Sequence, residues 1–315
     1  MILVTGGSGR VGSHLVNALL QKKYFVRVLE RSAKGFRKRK NLELFIGDII
    51  KKEDCEAAMK GIHIVFHLAA IVDYLAPKKL VYDVNVAGTR NIVEAAKKVG
   101  AKIILLSSTA AIGKKLPHLP ANEQTACRPT DFYGQTKLEA EKIVKEAGGI
   151  IVRSVDIVGQ GFEEGYQTVI EKISEGKMQI IGDGKNLIQY IHVSDLVRGL
   201  LLASEKGRAG EVYILAGPEA KTQEECFALL AKFLKAKPPQ KKISVELARF
   251  VARVNLIKSK LKRKRPSFIP AYVDKIVANR EFDISKAREE LGFEPKVNAD
   301  EQAREMVEEY LKKRK

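Results

Sequence analysis

The sequence predicts an α/β protein built on a doubly wound parallel sheet, and three observations carry that expectation. Short runs rich in Val, Ile and Leu alternate with longer segments of helical period as far as Arg153. A glycine-rich turn joins the first such run to the first helical segment. The chain is 315 residues long and 45% hydrophobic, enough for one large or two smaller packed units.

In order, the strand runs fall at 2–5, 25–29, 42–46, 62–67, 102–107 and 150–153. Helical candidates lie between them at 10–20, 54–59, 80–99 and 130–147. That rhythm is the one a Rossmann-type nucleotide-binding domain requires. Beyond Gly159 the alternation gives way to mixed helices, short strands and a basic stretch. The expected division is therefore a first domain over 1–159, which part of 185–215 rejoins, and a smaller discontinuous C-terminal substrate domain made mostly of 160–315. No internal repeat is present.

Charge narrows the function classes. The chain carries 56 Lys and Arg against 38 Asp and Glu, a formal net charge of +18. The excess sits in two places. Residues 31–40 hold six basic residues and no acid, and 232–265 hold thirteen basic residues and the single acid Glu246, leaving the remainder balanced. Such clustering argues against a nucleic-acid-binding coat, and no recognition motif accompanies it. Cys55, Cys127 and Cys226 are odd in number and far apart, so no disulfide framework and no metal site is expected. A reducing, cytoplasmic setting fits, with no room for a leader before the first strand and no apolar run long enough to cross a membrane.

The chemistry begins at Thr5-Gly6-Gly7-Ser8-Gly9-Arg10-Val11-Gly12. Glycines let backbone approach a pyrophosphate closely, and the following helix start offers unpaired N–H groups to the anion. Eighteen residues past Gly12, Glu30 stands where an acid reads the two adenosine ribose hydroxyls, which favours NAD over NADP. Arg31, with Lys34 and Arg37, argues for the NADP alternative. Asp48, after the third strand, is placed to accept from the adenine amino group, with a plain Gly-Asp turn as the competing reading.

Tyr133 and Lys137 are four apart at the start of a helical segment and so share a face. A phenol near its ordinary pKa of about 10 is a poor base, and a neighbouring ammonium stabilises the phenolate. Ser107-Ser108-Thr109 ends the fifth strand at the carboxyl edge of the sheet, where a hydroxyl can bond a reacting oxygen.

With these residues the chain resembles the extended short-chain dehydrogenases/reductases over nearly its whole length. The likeness takes in the loop at 5–12, Gly47-Asp48, His67-Leu68-Ala69-Ala70, Val84-Asn85-Val86 with Gly88-Thr89, and Ser107-Ser108-Thr109. It continues through Tyr133 and Lys137, Tyr190-Ile191-His192-Val193-Ser194-Asp195, and Phe282-Asp283 with Ser285-Lys286-Ala287 and Leu291-Gly292. The resemblance implies a catalytic set of Thr109, Tyr133, Lys137 and Asn85. Tyr133 is the acid/base and Lys137 holds the nicotinamide ribose and tunes Tyr133. Thr109 orients the substrate oxygen, with Ser108 as the alternative, and Asn85 supports the site and a proton path. The implied cofactor contacts are Gly6, Gly9, Arg10, Val11, Gly12, Glu30, Arg31, Asp48, Ile49, Leu68, Ala69, Ala70, Ser107, Tyr133 and Lys137. The partner is a small-molecule substrate, and pairing through 80–99 and 130–147 implies a homodimer.

Three departures separate the two main branches of the family. Arg153-Ser154-Val155-Asp156-Ile157-Val158-Gly159 puts an acid where sugar-nucleotide enzymes carry an amide. Ile188 stands where many of them place a diphosphate-binding Arg, and Ser107-Ser108-Thr109-Ala110-Ala111-Ile112-Gly113 lacks their tyrosine. Residues 271–292 look more like dihydroflavonol reductases and 3β-hydroxysteroid dehydrogenases. The sequence thus points to NAD(P)-dependent interconversion of a secondary alcohol and a ketone, with a nucleotide-sugar epimerase or dehydratase as the alternative.

The remaining features have bland readings. His192 is expected to be structural, and Tyr74, Tyr166 and Tyr190 to pack in the core or at a rim. The segment 244–261 places Leu247, Phe250, Val251, Val254, Ile257 and Leu261 at helical spacing beside Arg249, Arg253 and Lys260. The favoured expectation is a core-facing helix with a solvated basic back, and the alternative is contact with an anionic membrane.

Overall fold

The computed structural model describes residues 1–34, 37–262 and 264–313. Gly35 and Phe36 in the first basic run, and Arg263 in the second, lie outside the described residues. The chain begins with β1 (Ile2–Thr5), α1 (Arg10–Gln21), β2 (Val26–Glu30), β3 (Leu42–Ile46), α2 (Lys52–Ala58) and β4 (Ile64–His67). It continues through α3 (Lys78–Tyr82), α4 (Gly88–Val99), β5 (Lys102–Ser108), α5 (Phe132–Glu146) and β6 (Ile150–Ser154). The second half holds β7 (Asp156–Val158), α6 (Gln167–Ser174), β8 (Ile180–Ile181), β9 (Leu187–Ile188), β10 (Tyr190–His192) and α7 (Val193–Lys206). Then follow β11 (Val212–Leu215), β12 (Lys221–Thr222), α8 (Gln223–Leu234), β13 (Lys242–Ile243), α9 (Val245–Leu261), α10 (Pro270–Ile276) and α11 (Ala299–Lys312).

Seven parallel strands form the central sheet in the order β11-β6-β5-β4-β1-β2-β3. The doubly wound expectation holds, with β11 as a seventh strand. Apolar runs serve because both faces are covered: every residue of β1 and of β6 is buried. One core lies under α1 and α7, and a second under α2, α4 and α5. Local chemistry sets the helix ends. Asp131 accepts the Gly134 N–H at the start of α5, and Gly100, at φ 71°, closes α4 in the left-handed conformation.

Two elements depart from expectation. The single helix expected over 80–99 starts two residues earlier and contains a π-helical turn, Asp83–Ala87, between α3 and α4. Within that turn Asn85 is buried and bonded to the segment after β4, contacts described below. A π turn inserts one residue and redirects a side chain in this way. The second departure is α9, which Ser244 caps as its hydroxyl accepts the Leu247 N–H. Ala248 and Ala252 are its only buried residues, packed with Ile181 and Val273. Leu247, Phe250, Val251, Ile257 and Leu261 are exposed, so the large apolar side chains face outward and the core-facing expectation is corrected. Among the described residues no helix is long and apolar enough to cross a membrane.

Candidate active site

The strand order reverses between β1 and β4, and the loops leaving their carboxyl ends meet there, the place where such sheets bind ligands. Gly6 has φ +68°, and a Cβ on it would stand 2.9 Å from the backbone of Ala69. A Cβ on Gly12 would fall 2.0 Å from the Gly6 carbonyl oxygen. The glycines therefore seat the turn directly on Leu68 and Ala69, and nothing larger fits. Gly9 caps α1 with no side-chain hydrogen bond and no acid in the first turn, so the leading N–H groups stay available to an anion. These features fit a dinucleotide pyrophosphate.

Glu30 ends β2 beside the turn, its Oε1 accepting the Ser8 N–H at 2.7 Å. Arg31, Lys34 and Arg37 are exposed. Asp48 Oδ1 accepts the Ile50 N–H at 3.2 Å, and its own N–H donates to Asp54. Ile49 is buried, and its carbonyl accepts from Asn91 and Cys55. Asp48 and Ile49 thus fix the turn after β3. Arg10 pairs with Glu164 and lies 5.8 Å from the Phe162 ring, which ties the start of α1 to the segment after β7. Val11 is half-buried against the core. Ala70 is half-buried next to Ala69.

A polar chain with a defined direction locks this corner. The Ala69 N–H donates to Thr5 Oγ1 at 3.2 Å, and Thr5 Oγ1 lies 2.7 Å from His67 Nδ1. His67 Nε2 lies 2.9 Å from Thr89 Oγ1, whose proton goes to the Asn85 carbonyl at 2.6 Å. Since Thr89 donates onward, its oxygen accepts from His67, so Nε2 carries the ring proton and Nδ1 accepts from Thr5. Burial, helped by the nearby Lys137 charge, pushes His67 down to about 3, and the ring is neutral. Asn85 is equally committed. Its Oδ1 accepts the Ile71 N–H at 2.8 Å, and its Nδ2 donates to Ile71 O and to Thr136 Oγ1, each at 3.1 Å. Asn85 therefore clamps the chain after β4 to α5, with both amide protons donated.

Tyr133 and Lys137 stand one turn apart on α5, beside the end of β5. Burial raises the Tyr133 phenol above its ordinary value, opposed by a hydrogen bond with the Ser108 side chain, while Asp131, Asp156 and Glu141 push it up further. Of the two candidate hydroxyls, Ser108 is the one that lowers the Tyr133 phenol, and its Oγ also accepts the Ala110 N–H at 3.1 Å. Thr109 is buried in the short helical turn that follows, its carbonyl accepting from Ile112 and Gly113. One residue of strand register separates the two. Lys137 is buried with Nζ donating to Leu106 O at 2.7 Å, and burial lowers it to about 8 against the raising effect of Glu141.

Behind Lys137 lies an ion pair that sequence reading missed. Glu141 and Arg153 are both buried and joined by Nε–Oε1 and Nη2–Oε2 contacts of 3.0 and 2.7 Å. Ser107 Oγ donates to Glu141 at 2.5 Å. Its side chain thus faces this pair and supports the α5 anion. The available signal was spacing, since Glu141 follows Lys137 by four residues on the same face.

In β7, Asp156 pairs with Lys275 Nζ and Arg280 Nη1, each at 2.9 Å, and the two cations hold its carboxyl well below the usual range despite burial. The cluster carries a net positive charge, so Asp156 does not repel a phosphate there, and that part of the case against a sugar nucleotide is corrected. Asp156 influences Tyr74, Tyr133 and Tyr190. Tyr74 also feels Tyr133 and packs edge-on against Tyr272 at 6.0 Å, which places it at the rim of the site. Arg280 joins Asp156 across 124 positions, a separation that leaves no mark in local sequence pattern. Ile188 is buried. His192 caps α7, and the fully buried Asp195 accepts from the Lys296 and Val297 amides, so both are structural.

Comparison with known proteins adds four findings. The model of the NAD dependent epimerase/dehydratase family matches residues 2–216. Sterol-4-alpha-carboxylate 3-dehydrogenase, decarboxylating, of Mus musculus is 27% identical over 332 residues, covering 99% of this chain and 91% of that protein. For 3-beta-hydroxysteroid dehydrogenase of Mycolicibacterium neoaurum the identity is 28% over 332 residues, with coverage of 98% and 91%. The solved structure of UDP-glucose 4-epimerase from Thermotoga maritima with UDP-glucose is similar at a TM-score of 0.78 and 26% identity, covering 100% of this chain and 99% of that one.

Proposed function

The chain belongs to the NAD dependent epimerase/dehydratase family, and from that premise we propose that it interconverts a secondary alcohol and a ketone on a lipophilic, sterol-like substrate. The observation that carries this reading is the placing of Tyr133, Ser108 and buried Lys137 at the carboxyl end of β5, on the same edge of the parallel sheet as the glycine turn.

NAD, when bound, supplies at nicotinamide C4 the acceptor for the hydride that leaves the alcohol carbon. Gly6, Gly9 and Gly12 with the start of α1 hold its pyrophosphate, and Glu30 accepts from the adenosine ribose hydroxyls in place of the Ser8 amide. In oxidation Tyr133 Oη takes the alcohol proton, and in reduction it returns a proton to the ketone oxygen. Ser108 steadies the phenolate and the reacting oxygen. The Lys137 ammonium, fixed by Leu106 O, favours the phenolate electrostatically. Asn85 and His67 act as positioning residues that fix the segment after β4 against α5.

Residues 1–159 with α7 and β11 form the cofactor part, and the remainder supplies the substrate wall around Asp156, Lys275 and Arg280. The carboxylate of Glu30 supports NAD over NADP. The three cysteines are unpaired, which supports a cytoplasmic setting, and the adjacent α4 and α5 are the proposed pairing surface of a homodimer. The buried Ile188 and the sterol dehydrogenases matched over nearly the full chain support net redox chemistry. A second reading, epimerisation of a nucleotide sugar on retained NAD, is favoured by the net positive Asp156 cluster and the likeness to UDP-glucose 4-epimerase.

The test incubates purified protein with NAD and a 3β-hydroxysteroid while NADH absorbance is followed, and separately with UDP-glucose while UDP-galactose is measured. Steroid-dependent NADH formation that Tyr133→Phe abolishes is expected. UDP-galactose formation with no net NADH would overturn the redox reading.

A further inference from the structure

We propose that α9 is a docking helix for an anionic lipid surface. Six of its residues, Leu247, Phe250, Val251, Val254, Ile257 and Leu261, recur at intervals of three and four and so share one stripe. The stripe faces away from the protein: Phe250 is 62% exposed and Leu261 80%. The inner side is made of small residues, with Ala248 and Ala252 buried against Ile181 and Val273. A contiguous apolar stripe turned to solvent marks an interaction surface.

Charge identifies its occupant. From Arg249 to Arg265 there are eight Lys and Arg and no acid. Arg249 is paired with Asp274 and Arg265 with Asp73. Arg253, Lys258, Lys260, Lys262 and Lys264 are exposed. At about 100° per residue, Arg253 and Lys260 run along one edge of the stripe and Lys258 along the other. Apolar side chains flanked by ammonium and guanidinium groups match the acyl and headgroup layers of an anionic membrane. A second copy of the chain would instead bring like charges together across a symmetric contact.

The surface also adjoins the site. Arg265 reaches Asp73, whose neighbours Val72 and Leu75 are exposed, and Tyr74 beside them packs on Tyr272 at the rim described above. Docking through α9 therefore sets that rim toward the lipid. The inference does not rest on the redox reading, since vesicle binding is measured without substrate.

The sequence contains no Trp, so Phe250→Trp gives a single emitter on the stripe. Its emission is expected to shift to the blue, and the protein to co-sediment, with vesicles of phosphatidylcholine containing about one-third phosphatidylglycerol, the binding reversed by high salt. Pure phosphatidylcholine vesicles should bind at least about tenfold more weakly. The double substitutions Phe250→Ser with Ile257→Ser, and Lys258→Glu with Lys260→Glu, should each weaken binding by about tenfold or more, with NAD affinity and oligomeric state unchanged. Two results overturn the proposal: no partition of the unsubstituted protein into anionic vesicles, or a shift from dimer to monomer caused by the serine pair, which makes a second copy the occupant.

Discussion

His67 offers the most quantitative test of how the site is held. Its ring is buried and neutral, with a pKa pushed down to about 3, whereas a histidine in an unfolded chain titrates near 6.5. Above about pH 6.5 both states hold a neutral ring and His67 adds no pH dependence. Between about 6.5 and 3 the unfolded chain binds a proton that the folded protein does not. Stability is then lost as pH falls, by roughly 1.4 kcal/mol per pH unit, or about 2 kcal/mol at pH near 5. His67→Leu removes the acceptor of the Thr5 proton and the donor to Thr89, leaving two buried hydroxyls short of a partner at about 1–3 kcal/mol each. The substitution should therefore cost about 4 kcal/mol near pH 7.5 and only about 2 kcal/mol near pH 5, because the variant has no ring to protonate on unfolding. Urea unfolding followed by circular dichroism at the two pH values measures both gaps. A gap that does not shrink on acidification refutes the neutral buried ring.

Four further outcomes follow from the same geometry. Lys137 loses its proton as pH rises through about 8, so kcat/KM should fall above that value, and Lys137→Met should be slower at all pH and lack that limb; a persistent limb assigns it elsewhere. Ser108→Ala removes the bond that lowers Tyr133, so the limb on which alcohol oxidation rises should move to higher pH and the neutral-pH rate should drop about tenfold or more, while Thr109→Ala leaves the limb in place. Gly12→Ala drives a Cβ into the Gly6 carbonyl and should lower stability by about 1–3 kcal/mol or more together with NAD affinity, measured by thermal unfolding and calorimetry. Glu30→Ser should raise the NADP to NAD ratio in kcat/KM by about tenfold, since Arg31 is exposed beside it; an unchanged ratio removes Glu30 from ribose recognition.

What the sequence made legible was what local pattern encodes. The central strands β1, β4, β5 and β6 are apolar runs because a covered parallel sheet buries both of their faces, whereas β3 lies at the edge with no buried residue; the positions of all six strands from β1 to β6 were readable to within two residues. The glycine turn was readable because its conformation needs the absence of side chains. β11 was not separable from other short apolar runs, since only pairing with β6 makes it a strand. The π turn depends on Asn85 finding Ile71 and Thr136, contacts that no propensity reports. At the site, Tyr133 and Lys137 announced themselves by spacing, whereas the choice of Ser108 over Thr109 turned on where β5 stops. Asp156 was seen as a lone acid, and its charge changed meaning once Lys275 and Arg280 folded onto it.

The α9 helix shows the limit most clearly. Helical period tells which residues share a face, but it carries no sign: the same stripe serves a helix packed inward and one packed with its back to the protein. The sign was present in side-chain size and charge. Ala248 and Ala252 allow close approach to Ile181 and Val273, while the stripe of Leu, Phe, Val and Ile is bordered by Arg253, Lys258 and Lys260. Burying that stripe would draw its cationic edges toward the interior without acids to meet them, at a cost of several kcal/mol per unpaired ion. Packing the alanine face instead leaves the charges in water. The cationic edges of α9 thus favour the outward stripe, and the exposed apolar surface is the consequence.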